Sequence, residues 1–270
     1  MKKRIITAAV LVPLLVGLVL AGPKVISAVV LGVLLAVAVY ELLYRTEYIR
    51  QPRLVIYSAA MAFGICMWSS YGAVHGVFVL MNLAYFSLLF AEMMMDHIKI
   101  RLEMLGLCVL GGEIIPFMLS SILRILGTTV GRYFVLLPFV VAFLSDAGAY
   151  FIGIKFGRHK LSPVISPNKT VEGVLGGLAF SVVGMLIYAA VLALACKLHV
   201  NFLLALFYGL AGSGIGTFGD LCFSAIKRQT GIKDYGTLFP GHGGVLDRLD
   251  SLVTVAPLME ALLLLLPLAV

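Results

Sequence analysis

The sequence predicts an all-α polytopic integral membrane protein with about nine transmembrane helices. Three observations carry that reading. Of the 270 residues, 61% are hydrophobic and only 12% are charged, where soluble domains carry about 25% charged residues. The mean hydropathy is +1.09. Apolar runs long enough to cross a bilayer recur from one end to the other with short polar connections between them. No stretch has the composition of a separate soluble domain or linker, so residues 1–270 read as one membrane-embedded unit, 1–132 mainly scaffold and 133–270 carrying the functional loops at 155–173 and 219–250.

Lys2, Lys3 and Arg4 precede the apolar run Ile5 to Ala21, a pattern shared with secretory leaders cut near a small residue. Because further apolar runs follow at once, we read it as an uncleaved first span. At about 20 residues per crossing, the next spans are 25–44, 54–73, 77–95, 102–123, 133–154, 174–196, 202–219 and 251–270.

The basic residues orient these spans. Alternate connections gather Lys2, Lys3, Arg4, Arg45, Arg50, Arg53, Lys99, Arg101, Lys155, Arg158, Lys160, Lys169, Lys227, Arg228, Lys233 and Arg248 on one side. Only Lys24, Arg124, Arg132 and Lys197 fall on the other. The positive-inside rule then makes the N-terminus cytoplasmic and the C-terminus external, with 155–173 and 219–250 facing the cytoplasm of a cell membrane. The net charge of +7 is thereby explained without nucleic acid, and no basic run is interleaved with aromatics as a nucleic-acid surface requires.

Cys66, Cys108, Cys196 and Cys222 lie apart, mostly in apolar runs, and read as packing residues rather than disulfide or zinc partners. The histidines show no metal-ligand spacing either. Glu41, Glu92 and Glu103 sit close enough to span ends to be interface residues. Glu113, between Gly111-Gly112 and Pro116, needs a wet interior, because a charge at mid-membrane costs about 2.5–3.5 kcal/mol. Asp146 lies among small residues that let helices approach closely. A buried structural hydrogen bond and a role in a site are both open for it.

Chemistry concentrates in Ser224 to Asp250, SAIKRQTGIKDYGTLFPGHGGVLDRLD. If the preceding helix continues through Gly219 to Thr230, Asp220, Ser224 and Lys227 or Arg228 share one face, and Gly231 ends it. Pro240 to Gly244 forces a turn with free backbone N–H groups, which beside lysines make a phosphate site. Asp247 and Asp250, at i and i+3, supply oxygen ligands for a hard cation; alternatively they favour the positive end of the final helix and pair with Arg248. Ser166, Asn168, Lys169 and Thr170, just before a helix, read equally as an anion site or as the basic flank of a span. Together these features point to phosphoryl or nucleotidyl transfer.

The order Ser224, Lys227-Arg228, Lys233-Asp234, Gly236, Phe239-Pro240, His242-Gly243-Gly244, Asp247-Arg248, Asp250 resembles the signature of the CDP-diacylglycerol synthase (phosphatidate cytidylyltransferase) family. Asp146 and the block Lys155 to Gly173 are similar to that family as well. The resemblance implies a metal-dependent cytidylyltransferase of phospholipid biosynthesis that condenses CTP with phosphatidate in the bilayer. The expected ligands of Mg²⁺, with a second cation allowed, are Asp220, Asp247 and Asp250. Lys227 and Arg248, with Asp220 and Asp247, are the expected catalytic residues. Ser166, Lys169, Ser224, Arg228, Lys233, His242, Gly243, Gly244 and Asp146 are expected to bind substrate. A homodimer is a further expectation.

Two other classes fit parts of the pattern. A CTP-dependent lipid kinase differs in releasing CDP, and a transporter using Glu113 and Asp146 leaves the glycine turn unexplained. A CDP-alcohol phosphotransferase is excluded by the missing D-x-x-D-G-x-x-A-R core.

Overall fold

The computed structural model describes residues 17, 20–238 and 243–269. Most of the expected first span, 5–21, lies outside the described residues. Among the described residues the fold is all-α apart from one short hairpin. Its helices are α1 (Lys24–Leu43), α2 (Pro52–Ser70), α3 (His75–Met95) and α4 (Leu102–Leu126), followed by α5 (Leu137–Phe156), which a short turn of helix at Gly131–Phe134 precedes. The hairpin strands β1 (Lys160–Ser162) and β2 (Ser166–Thr170) lead to α6 (Val171–Ala195), α7 (Phe202–Gln229), α8 (Leu246–Leu249) and α9 (Leu252–Leu265). Among the described residues seven helical segments are long and apolar enough to cross a membrane, namely α1 to α7. The chain is a multi-pass membrane protein.

Seven of the nine expected spans are thus found among the described residues. Residues 251–270 do not form one full span: α9 has 14 residues, or ~21 Å at 1.5 Å per residue, against a hydrocarbon core of about 30 Å. Leu266 gives its N–H to Leu262 O and then leaves helical geometry, and Pro267 has no N–H with which to continue. The tail instead runs beside the start of α7, where Leu268 O accepts from Asn201 N at 3.0 Å.

The chain divides into two compact units: residues 1–132 with 230–249, and residues 133–229 with 250–270. In the first, α2 packs against α1, α3 and α4. Pro52 opens α2 at a position where its missing N–H costs nothing. In α4, Pro116 cannot bond the carbonyl one turn back, and just ahead of it the helix widens to a π turn over Leu110–Ile114. A Cβ on Gly112 would fall 2.8 Å from Ser58 Cβ, so glycine is what lets α4 reach α2 there. The Tyr85 hydroxyl, paired with Ser58 Oγ at 2.7 Å, donates to Cys108 O at 2.8 Å. Glu113 lies in this π turn, half-buried.

In the second unit α5 and α6 pack along a glycine seam. A Cβ on Gly148 would stand 2.6 Å from Gly176 O, and one on Gly177 2.8 Å from Ser145 O, so backbone meets backbone. α7 packs on α6 and α9 through Gly209, Gly212, Gly216 and Gly219. Hydroxyls bind the same contacts: Ser145 Oγ to Ser213 Oγ at 2.7 Å, Ser181 Oγ to Gly209 O at 3.0 Å, and Thr254 Oγ1 to Ile215 O at 2.9 Å. The four cysteines are free, with Cys66 and Cys108 buried as packing residues.

Candidate active site

α7 runs 28 residues, ~42 Å long, so its polar end extends the helix well past the 202–219 apolar run. Asp220 and Ser224 are one turn apart on it. Ser224, buried, donates to Asp220 Oδ1 at 3.3 Å, as the i, i+4 spacing predicts. The helix ends at Gln229, and Gly231, at φ +70°, takes the left-handed turn that follows.

The segment with Ser162-Pro163 and Ser166-Pro167, where each proline disfavours helix at the residue before it, has regular structure of another kind. It folds as an antiparallel hairpin with Lys160 opposite Thr170 and Ser162 opposite Ser166. Glu172 ties its base, accepting the N–H groups of Arg158 at 3.0 Å and His159 at 3.2 Å and pairing with His159 Nδ1 at 2.6 Å. The first turn of α6 is capped by its own chain, with Thr170 Oγ1 accepting from Gly173 N at 3.1 Å and His159 O from Val171 N at 2.9 Å. The 166–170 stretch therefore presents side chains rather than an open helix terminus. Lys169 Nζ reaches Asp220 Oδ2 at 2.6 Å and Thr217 O at 3.4 Å, and Arg228 Nε donates to Ile165 O at 3.1 Å. Hairpin and α7 are thereby joined at two points.

Asp250 and Asp146 complete this cluster. Gly219 allows close approach of the chain before α9, since a Cβ there would be 3.0 Å from Asp250 O. Asp250 Oδ1 accepts from Ser251 N at 2.9 Å, while Ser251 Oγ donates to Asp146 Oδ2 at 3.4 Å. Burial pushes the Asp250 carboxyl up from the usual carboxylate range; the neighbouring Asp220 charge adds to the rise, Lys227 opposes it, and Asp146 adds a smaller push upward. Three carboxylates and two lysines from α5, β2, α7 and the turn preceding α9 thus converge within the second unit. Asp146 sits ten residues before the end of α5 and Asp220 nine before the end of α7, ~14–15 Å along each helix. Asp146 and Asp220 therefore lie well inside their helices, whereas Lys169, Lys227 and Asp250 stand near helix ends.

The first unit holds the other candidates, in a loop closed on two carboxylates. Asp247, buried, accepts on Oδ2 from Tyr235 N at 2.8 Å and Gly244 N at 2.9 Å. Glu41, at the last turn of α1 and only 2% exposed, accepts from Val245 N at 3.1 Å and Leu246 N at 3.0 Å. Gly243 has φ +86°, a left-handed conformation, and a Cβ on it would fall 2.8 Å from Asp247 Oδ2. Of the amides expected to be free in the glycine turn, that of Gly244 is engaged by Asp247; the two that follow the turn, of Val245 and Leu246, are held by Glu41, and residues 240–242 lie outside the described residues. A buried amide needs a partner, and within this loop the acid side chains supply it. Glu41, read from sequence as an interface residue, is buried. Its partners are 204 and 205 residues away, and the one signal for it was a carboxylate ending a long apolar run. Lys233 and Arg248 are exposed. His242 lies outside the described residues.

Residues 2–266 match the cytidylyltransferase family. The chain belongs to that family. Among curated members it is 45% identical over 134 residues to the phosphatidate cytidylyltransferase of Staphylococcus epidermidis. It is 46% identical over 134 residues to that of Staphylococcus haemolyticus and 44% over 134 to that of Staphylococcus aureus. Each match covers 50% of this chain and 50% of the relative, so the chain spans about half the length of the curated relatives it matches.

The donor set of this member of the cytidylyltransferase family decides whether its residues suit a divalent cation. Among the described residues no three His, Cys, Asp or Glu side chains form a ready cation cage. Mg²⁺ does not require one, since it is commonly held by one or two carboxylates together with water and substrate phosphates. Asp220 and Asp250, mutually repelling oxygen donors in one unit, fit that pattern. Asp247 belongs to the other unit, and its Oδ2 is committed to two amides.

Proposed function

We propose that the chain is a membrane-embedded phosphatidate cytidylyltransferase, condensing CTP with phosphatidate to give CDP-diacylglycerol and pyrophosphate. Membership of the cytidylyltransferase family and the names of the relatives support the reaction class. The observation that carries the assignment is the convergence of Asp146, Asp220 and Asp250 with Lys169 and Lys227 in one unit. Such a set suits substrates that each bring several negative charges.

A phosphatidate oxygen attacks the α-phosphorus of CTP, the new P–O bond forms, and the bond to the β-phosphate oxygen breaks. The electron pair leaves with pyrophosphate. A phosphate monoester is already anionic at neutral pH, so no general base is needed. Bringing the reactants together is the harder part: two like charges at 4 Å repel by about 4 kcal/mol at an effective dielectric of 20. Lys169, Lys227, Arg228, Lys233 and Arg248 are assigned to that neutralisation and to the departing pyrophosphate. Lys169, now on Asp220, turns to a substrate phosphate. Mg²⁺, held by Asp220 and Asp250, would supply charge neutralisation and Lewis-acid polarisation at the reacting phosphates. Asp247 acts in the same reaction through the turn it closes, and Asp146 and Ser166 contact substrate. The basic residues orient the catalytic loops to the cytoplasm, where CTP is made, and the lipid tails remain in the bilayer.

The test is direct. Purified protein with CTP, Mg²⁺ and phosphatidate should yield CDP-diacylglycerol and pyrophosphate in equal amounts. Release of CDP with a newly phosphorylated lipid would make it a lipid kinase instead, and no nucleotide turnover would refute both.

A further inference from the structure

We infer that Glu41 is a positioning residue for the reaction, acting through the backbone of the glycine turn. The inference rests on the function proposed above, which gives Asp247 and Arg248 their roles.

Each oxygen of the Glu41 carboxylate takes one of two consecutive amides, Oε1 from Val245 at 3.1 Å and Oε2 from Leu246 at 3.0 Å. Two-point attachment fixes the direction of the peptide planes, as a single hydrogen bond does not. The turn is moulded to the carboxylate on both sides: a Cβ on Gly236 would lie 2.6 Å from Glu41 Cδ, and one on Gly244 2.5 Å from the same atom. Just past the end of α1, Arg45 donates to Thr237 Oγ1 at 3.2 Å, holding the near end of the same loop. Asp247 gathers Tyr235 N and Gly244 N from its two ends. Four backbone amides from one loop are thus distributed between two carboxylates. The Asp247-Arg248 pair follows immediately on the amides that Glu41 holds. A buried acid carried on a packed helix is a rigid support, whereas the glycines it contacts have little rigidity of their own.

Glu41→Gln keeps the shape but sets an NH₂ against one of the two amide donors. The full-length protein in detergent is compared with this variant by hydrogen exchange and by steady-state turnover. Exchange should rise in peptides covering 243–248 while those from α2 and α6 stay protected. The value of kcat should fall by about 10- to 100-fold, the range seen when the supports of functional ligands are removed, with KM for CTP and phosphatidate within about twofold. Glu41→Asp, one methylene shorter with its charge kept, should fall between the two in both measurements. Unchanged exchange at 243–248 would overturn the inference, as would local loosening with wild-type kcat. Exchange rising throughout α1 and α2 in both variants would make Glu41 a general stability residue and overturn it too. If the wild-type protein makes no CDP-diacylglycerol, the proposed function fails, and the exchange measurement still decides whether Glu41 holds the turn.

Discussion

The Lys169–Asp220 pair offers the sharpest test of the second-unit cluster. Its nitrogen and oxygen are 2.6 Å apart, and the side chains are 22% and 27% exposed, so solvent screens the attraction only in part. At an effective dielectric of 20 the Coulomb energy is about 4 kcal/mol at 4 Å and more at contact. Desolvation of both groups offsets much of that. Removing either partner strands the other, at a cost of about 1–3 kcal/mol. Lys169→Met and Asp220→Asn should each lower thermal stability in detergent, and the double variant should cost less than their sum by about 1–2 kcal/mol, within the range for contacting charges. Turnover should behave differently. Asp220→Asn removes a proposed cation ligand and should lose at least ~100-fold in kcat, and adding Lys169→Met should not restore it. Stability effects that sum to within about 0.5 kcal/mol would refute the pairing. Wild-type turnover in Asp220→Asn would refute the cation assignment.

Other expectations follow from the same contacts. Asp247→Asn leaves one carbonyl oxygen for the amides of Tyr235 and Gly244 but removes the charge; turnover measured on folded protein should be lost. Gly148→Val drives a side chain into Gly176 O, 2.6 Å from the Cβ position, and should cost at least about 1–3 kcal/mol, visible as a lower melting point. Tyr85→Phe strips the hydroxyl that serves Ser58 and Cys108 O, costing about 1–2 kcal/mol with no change in KM. Glu172→Gln withdraws charge from the amides of Arg158 and His159, and hydrogen exchange should rise at 158–162 ahead of the rest of the hairpin.

The helices were legible because an apolar run is recorded residue by residue, and the cluster on α7 because Asp220 and Ser224 obey a local i, i+4 rule. Gly231 was legible for the same reason, as a glycine where a helix must stop. What escaped depended on partners distant in the chain. The bond from Glu41 to Val245 spans 204 residues, and nothing near Glu41 in sequence announces it. The hairpin escaped because Ser-Pro pairs signal the absence of helix without saying that Lys160 would face Thr170. The stretch 251–270 yields only the 14-residue α9, a length that hydropathy alone does not show because it registers the leucines and not the break before Pro267. A free amide at Gly244 was a reasonable expectation from composition, but Asp247 three residues on satisfies it.

Glu41 is synthesised some 200 residues before the loop it receives. A translating ribosome therefore leaves a buried carboxylate waiting at the end of an early helix until the last tenth of the chain arrives, and closing so long a separation carries an entropic cost that local structure does not. Splitting the gene before residue 230 would convert that closure into a meeting of two polypeptides. Co-expression of the halves, rather than the C-terminal half alone, is then the minimum requirement for a correctly shaped loop.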